Sequence, residues 1–156
     1  MRVVYRISPE KHAHDLSGEG SRLHGARWNK KGTAVIYTAE SRALAVLESL
    51  VHVSLPNLPA GLKVVSLGIP DSIVPKEIDP SRLPELWRTN PPPFALADIG
   101  TDWVVSGESL LLRVPSVVVP DEFTIIINPR HHNMKQIKLL EAVDFVFDER
   151  LHKKGK

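Results

Sequence analysis

Three side chains of different chemistry fall at successive element positions near the start of the chain. Arg27 lies in the run Gly25-Ala26-Arg27-Trp28-Asn29-Lys30-Lys31-Gly32. Tyr37 lies in the strand-like run Ala34-Val35-Ile36-Tyr37-Thr38, and Glu48 is the single acid in a helix-like stretch from Ala43 to Val51. A guanidinium can hold a phosphate through charge-assisted bonds. A phenol ring can cover a flat group, and a carboxylate can stabilise a cation that develops during reaction. The combination suggests a site for a nucleotide with a scissile glycosidic bond.

Each residue also has an ordinary structural role open to it. Arg27 could be a surface ion-pair partner, the usual fate of an arginine. Tyr37 could be a core residue of its strand, and Ser116, after Val114-Pro115, could cap a turn. Glu48 fits such a role least, because an acid at the border of an apolar stripe needs a partner or a cleft. Arg22, Arg27, Lys30 and Lys31 form a short basic run without an acid. The glycines beside it let backbone approach an anion, so the run reads as a phosphate-binding loop or a solvated one. His131-His132 follows Asn128-Pro129-Arg130 and reads as a polar turn, since adjacent side chains diverge. No metal site is expected. Trp28, Trp87 and Trp103 are expected as core or loop anchors.

The elements that must position these groups can be outlined from the pattern. Val3 to Ile7 predicts an opening strand, His12 to Gly25 a loop, and Ala34 to Thr38 a short strand after the Gly32 turn signal. Glu40 to Val53 predicts the best helix, with Ala43, Leu44, Val46, Leu47, Leu50 and Val51 at helical spacing. Glu40 is placed in its first turn, where an acid suits the dipole. Leu62 to Ile69 predicts a strand, and Pro80 to Trp87 and Ala95 to Val105 predict shorter helices. Ser109 to Val114, Ser116 to Val119 and Phe123 to Ile127 form a β-region rich in Val, Ile and Leu. Pro115 and Pro120 predict edges or bulges there. Val143 to Phe147 alternates again, and His152 to Lys156 is expected to fray. Prolines cluster at Pro56–Pro59 and Pro91-Pro92-Pro93, predicting ordered loops. Strands outnumber interspersed helices, so the fold class is α+β with a mixed sheet, not a doubly wound one.

Composition bounds the rest. A chain of 156 residues with 42% hydrophobic and 24% charged content is sized for one domain with a real core, here taken as 1–156. Absence of cysteine excludes disulfides, Fe–S clusters and thiol nucleophiles. It fits a reducing compartment. The N-terminus lacks a signal-peptide run and no stretch reaches membrane-spanning length, so a cytoplasmic location without membrane contact is expected. A net charge of +2 is too small to argue for direct nucleic-acid binding. No Walker loop, Rossmann fingerprint, zinc-binding helix or nucleophile elbow is present.

The ordered set of motifs resembles the RES domain family. The resemblance is carried by Tyr5-Arg6-Ile7, the Gly25–Gly32 run, Val35-Ile36-Tyr37-Thr38-Ala39, Ala43 to Glu48 and Leu50-Val51-His52. In the distal half it is carried by Trp103, Ser109 to Ser116, Asn128-Pro129 with His131, and Phe145 to Asp148 with Arg150-Leu151. It spans nearly the whole chain, Pro70 to Ala97 matching least. The family is named for an arginine, a glutamate and a serine, which fall on Arg27, Glu48 and Ser116. The tyrosine between falls on Tyr37, and Asn128 sits in a family-like Asn-Pro turn.

The resemblance implies a bacterial toxin with an ADP-ribosyltransferase-like fold of mixed and antiparallel sheet and a few short helices. It implies NAD as a consumed substrate, with no recycled cofactor, and neutralisation by an Xre-like antitoxin. Cleavage of the nicotinamide–ribose bond by water or phosphate is the expected reaction, with transfer of ADP-ribose to a protein acceptor, or a non-catalytic binding module, as the alternatives. A homodimer is a further expectation from the family. The expected roles are charge stabilisation for Glu48 and grip on the diphosphate or ribose for Arg27. Tyr37 would stack on nicotinamide, and Ser116 and Asn128 would add hydrogen bonds to NAD.

Overall fold

Strand β3, Leu62–Ile69, reads Leu-Lys-Val-Val-Ser-Leu-Gly-Ile and is buried at every position but Lys63. Such a continuous apolar run marks a strand covered on both faces. Around it the computed structural model, which describes residues 1–53 and 58–151, builds one seven-stranded sheet. The strands are β1 (Arg2–Pro9), β2 (Ile36–Ala39), β3, β4 (Lys76–Glu77), β5 (Leu111–Pro115), β6 (Phe123–Ile127) and β7 (Lys138–Phe145). Their order is β4-β5-β6-β2-β1-β3-β7. The β4–β5 pair is parallel and the others are antiparallel. The fold class is therefore α+β with a mixed sheet in a single domain, as the sequence predicts.

The sheet is nearly divided in two. β1 runs along β3 from Arg2 opposite Ile69 to Pro9 opposite Leu62, and β2 runs along β6 from Ile36 opposite Ile127 to Ala39 opposite Thr124. Between the halves, β1 and β2 meet at Tyr5 opposite Ala39. Away from that pair the strands diverge, and the gap is where the principal cleft opens. One core cluster holds the halves together from one face, with Val4, Val65 and Leu67 from one side and Ile36, Leu111, Ile125 and Ile127 from the other.

The opposite face of the β4-β5-β6-β2 half is covered by α3 (Phe94–Ser106). Trp28, Trp87, Leu96 and Trp103 pack there on Leu112, Val114 and Ile126. All three tryptophans are buried, in the anchoring role expected of them. α3 stops at Gly107, whose φ of 61° is the left-handed conformation glycine adopts without strain, and its N–H closes onto the carbonyls of Trp103 and Val104.

α2 (Arg42–Leu50) is shorter than the predicted Glu40 to Val53. Ser41 is its N-cap, its hydroxyl accepting from Leu44 N–H at 3.0 Å; such a cap is worth about 1 kcal/mol. Glu40 thus lies before the helix, and its carboxylate binds Arg113 Nε at 2.8 Å instead of the helix dipole. Only Leu44 and Ala45 of α2 are fully buried, in a small cluster with Ala39. Leu47 and Val51, predicted on the core face, are 39% and 58% exposed. The apolar stripe is wider than the surface the sheet offers.

Other elements depart from expectation for local reasons. The predicted loop His12 to Gly25 contains the short helix α1 (Glu19–His24), which buries no side chain and so leaves no apolar period to read. Pro80 to Trp87 forms a 3-10 turn over Pro80–Arg82 and a second turn closed by Trp87 N–H onto Pro84 O, not a continuous helix, with Trp87 as a core anchor. Ser116 to Val119 is a turn, not a strand, because β5 ends at Pro115 and the Ser116 hydroxyl takes up the following backbone N–H groups. β7 begins at Lys138, well before the predicted Val143. Part of the Pro56–Pro59 loop and the tail His152–Lys156 lie outside the described residues.

Candidate active site

The cleft between the sheet halves has a volume of about 970 Å³, at the upper end of the range for small-molecule sites. Its floor comes from β1 and β2, through Tyr5, Arg6, Tyr37 and Ala39. One wall is α2 with Glu48, followed by His52 just beyond its end; another is the turn carrying Arg27 together with Asn90 and Pro92; Ser116 and Thr124 also line the cleft.

Glu48 lies one helical turn beyond Leu44 and three residues beyond Ala45, so it shares their inward face. Its Oε1 accepts from Ser116 Oγ at 2.7 Å and, more weakly, from Thr124 Oγ1 at 3.4 Å. Ser116 is 2% exposed, and its oxygen already accepts from Val118 N–H and Val119 N–H, both at 3.1 Å. With the lone pairs so occupied, the one hydroxyl hydrogen is left for Glu48. Both bonds fall on Oε1, so among the described residues Oε2 is left free for the cleft.

Arg27 sits at the tip of a tight turn closed by Ala26 N–H to Asn29 O at 3.0 Å and Asn29 N–H to Ala26 O at 3.4 Å. Its Nη1 donates to the carbonyls of Trp87 at 2.8 Å and Thr89 at 3.0 Å. This ties the segment bearing Asn90 and Pro92 to the cleft wall. Burial lowers the guanidinium's pKa from its ordinary value, with Glu48 and then Tyr37 acting the other way. An arginine stays cationic in spite of such a shift, so Arg27 and Glu48 place opposite charges along one cavity.

Tyr37 borders the cleft and also packs against the cluster of Trp28, Leu96 and Trp103. Its hydroxyl is engaged elsewhere, donating to Asn29 Oδ1 at 2.6 Å and accepting from Trp28 N–H at 3.1 Å. Burial raises its pKa, so it remains protonated. The hydroxyl is therefore already engaged within the protein.

Arg6, quoted in the sequence pattern but given no role there, also lines the cleft. Its Nη2 donates to the carbonyls of Asp15 at 2.7 Å, His12 at 3.0 Å and Ala13 at 3.3 Å. Its Nε is buried without a partner among the described residues. Burial is the main cause that lowers its pKa, with Asp15 opposing. Thr124 is the second residue the sequence did not single out. Its position opposite Ala39 on β6 could have been found only by knowing the strand register.

The structure therefore brings Arg27, Tyr37, Glu48 and Ser116 around one cavity. It places Asn128 elsewhere. Asn128 follows the other end of β6 from Thr124, about 13 Å away at the rise of an extended strand, and does not line the cleft. Its Oδ1 accepts from Arg130 N–H at 3.0 Å and its Nδ2 points to Val104 O at 3.4 Å. These bonds make it a turn-forming residue under α3, outside the cleft that the other four residues line. His131 likewise serves a turn, its Nδ1 accepting from Asn133 N–H at 3.1 Å. Among the described residues no cluster of His, Asp and Glu could hold a metal ion.

This geometry has relatives. The family model described as RES domain matches residues 3–148. A protein of Sphingobium sp. named Prs ADP-ribosylating toxin is 38% identical over 145 residues, covering 92% of this chain and 90% of its own. A protein of Yersinia enterocolitica named Toxin Res is 38% identical over 151 residues, covering 96% and 99%. The toxin fold is seen in the crystal structure of the M. tuberculosis MbcT–MbcA toxin–antitoxin complex, which superposes with a TM-score of 0.75 at 18% identity, over 97% of this chain and 86% of that one. The chain belongs to the RES domain family.

Proposed function

We propose that the protein consumes NAD by cleaving the bond between nicotinamide and ribose. The observation that supports this reading is the Glu48 carboxylate, fixed by Ser116 through one oxygen, in a cavity that also presents Arg27 and Arg6. Nicotinamide in NAD is a cation and leaves as a neutral ring, taking the electron pair of the C–N bond. It needs no strong general acid. Positive charge then gathers on the ribose, as in other glycosidic cleavages. A carboxylate beside that ribose helps most when the charge is greatest, which lowers the barrier more than it strengthens substrate binding.

The remaining groups fit the rest of such a substrate. Arg27 would hold the diphosphate, with Arg6 as a second cation along the cleft. The ring of Tyr37 would stack on nicotinamide. Water or phosphate would then take the ribosyl cation. A second reading, transfer of ADP-ribose to a specific protein, is favoured by the name of the Sphingobium relative, an ADP-ribosylating toxin. In either case the toxin would act where NAD is held, in the cytoplasm. An Xre-like antitoxin covering the cleft would neutralise it, a partnership supported by the fold neighbour having been solved with its antitoxin.

The test is to incubate the purified protein with NAD and follow nicotinamide by chromatography, with and without phosphate, and to weigh intact proteins of a treated lysate. Release in buffer alone names water, release that needs phosphate names phosphorolysis, and a mass gain of one ADP-ribose on a single protein names transfer. No nicotinamide under any of these conditions would end the proposal.

A further inference from the structure

Asn29 is 1% exposed, yet it is a polar residue in the middle of a surface turn. Its bonds explain the burial and fix its orientation. Nδ2 donates to Ser21 O and Thr33 O, both at 2.9 Å. An amide nitrogen has two hydrogens, and these acceptors use both, so Oδ1 must face Tyr37. Oδ1 can only accept, so the Tyr37 hydroxyl must donate to it, at 2.6 Å. That turns a lone pair of the phenol oxygen towards Trp28 N–H, 3.1 Å away. This N–H belongs to the peptide that joins Arg27 to Trp28. The chain of bonds therefore ends on the backbone that carries the Arg27 side chain.

The other side of the same turn is held by α3. Lys30 N–H donates to Thr101 Oγ1 at 3.0 Å, and the Lys30 ammonium pairs with Asp98. At Gly100 a Cβ would fall 1.7 Å from Trp28 O, so the turn is pressed directly on helix backbone.

We propose that Asn29 is a positioning residue for Arg27, acting through the Tyr37 hydroxyl to set the turn from which the guanidinium reaches the anionic part of a dinucleotide substrate. The inference rests on the proposed function for the identity of that substrate, but not for the bond network itself. In this account Tyr37 has two separable parts. The ring packs on the Trp28 cluster at the border of the cleft, and the hydroxyl belongs to the Arg27 turn. Pre-organisation of this kind matters because displacing a binding group by 1 Å can cost about 100-fold in rate.

The experiment compares Tyr37→Phe, Asn29→Ala, and Tyr37→Phe combined with Arg27→Ala, by steady-state NAD cleavage and by NMR of the Arg27 Nε–H in 15N-labelled protein. Tyr37→Phe keeps the ring and carries the test should Asn29→Ala fail to fold. The expected result is a KM for NAD raised about tenfold or more with a smaller change in kcat. The Arg27 signal should shift or broaden, and Tyr37→Phe should add nothing once Arg27 is alanine. Unchanged KM and an unchanged Arg27 signal in Tyr37→Phe would overturn the proposal. So would an equal KM effect with and without Arg27, which would put the hydroxyl on the substrate. If the parent does not cleave NAD, the NMR arm alone decides. A perturbed Arg27 signal then upholds the network and leaves only the substrate to be reassigned.

Discussion

The Ser116 hydroxyl stands 2.7 Å from Glu48 Oε1, across 68 positions of sequence, while its own oxygen is claimed by Val118 and Val119 N–H groups. The serine is thus aimed at the acid by backbone, and the acid is held by the serine. In the proposed reaction Ser116 would act through Glu48 rather than on the ligand. Ser116→Ala should lower kcat by roughly 10- to 100-fold, the worth of a hydrogen bond to a charged group, with KM for NAD changed little. Steady-state kinetics on folded protein check this. A mutant whose KM rises and whose kcat holds would make Ser116 a substrate ligand instead.

Arg27 serves both the cavity and the segment at its rim. Removing the guanidinium leaves the carbonyls of Trp87 and Thr89 without their donor. Arg27→Ala should weaken NAD binding by about 10- to 100-fold, in keeping with loss of a charge-assisted contact. It should also raise hydrogen exchange across residues 87–93. Calorimetric titration of NAD and exchange mass spectrometry report the two effects separately.

Gly100 is required by contact, not by backbone angle. A methyl group there would meet the carbonyl oxygen of Trp28. Gly100→Ala should therefore destabilise the fold by about 3 kcal/mol, at the high end for overpacking. A loss of that size corresponds to a fall in Tm of roughly 6–12 °C for a chain of this length. The control Gly20→Ala meets nothing within 4 Å and should leave Tm nearly unchanged.

His131 gives a pH dependence with a definite sign. Burial, and then the charge of His132, whose tilted ring lies 4.2 Å away, hold its pKa below the ordinary histidine value. The folded state therefore binds the proton less well than the unfolded state. Stability from this group is fully present above the unfolded pKa and is lost as pH falls through it towards the folded one. Tm should drop on acidification from neutral pH, and His131→Gln should flatten that part of the profile. An identical slope in both proteins would remove His131 as the source.

What the sequence made legible follows from what each signal physically reports. β3 and α3 were placed to within a residue or so because burial imposes an apolar run on one and a helical period on the other. α1 buries nothing and β4 is a two-residue exposed pairing of Lys76 and Glu77 with β5, so neither writes a pattern into the chain. Arg27, Tyr37 and Glu48 could be suspected from residue type and spacing, and family resemblance added Ser116. Their convergence could not be read, because it depends on the parting of β1 from β2 and on the register that sets Thr124 beside Glu48. Asn128 stands apart from the cleft, where its Asn-Pro pair forms the turn that such a pair announces.

The most direct measurement compares the parent with Glu48→Gln, reading NAD affinity by calorimetry and nicotinamide release by chromatography on the same samples. The substitution keeps the volume and removes the charge. The account predicts that affinity stays within a few-fold while release falls about 1,000-fold or more, the scale of a preorganised electrostatic group. Equal release from both proteins would contradict it and would remove Glu48 from the chemistry of this cleft.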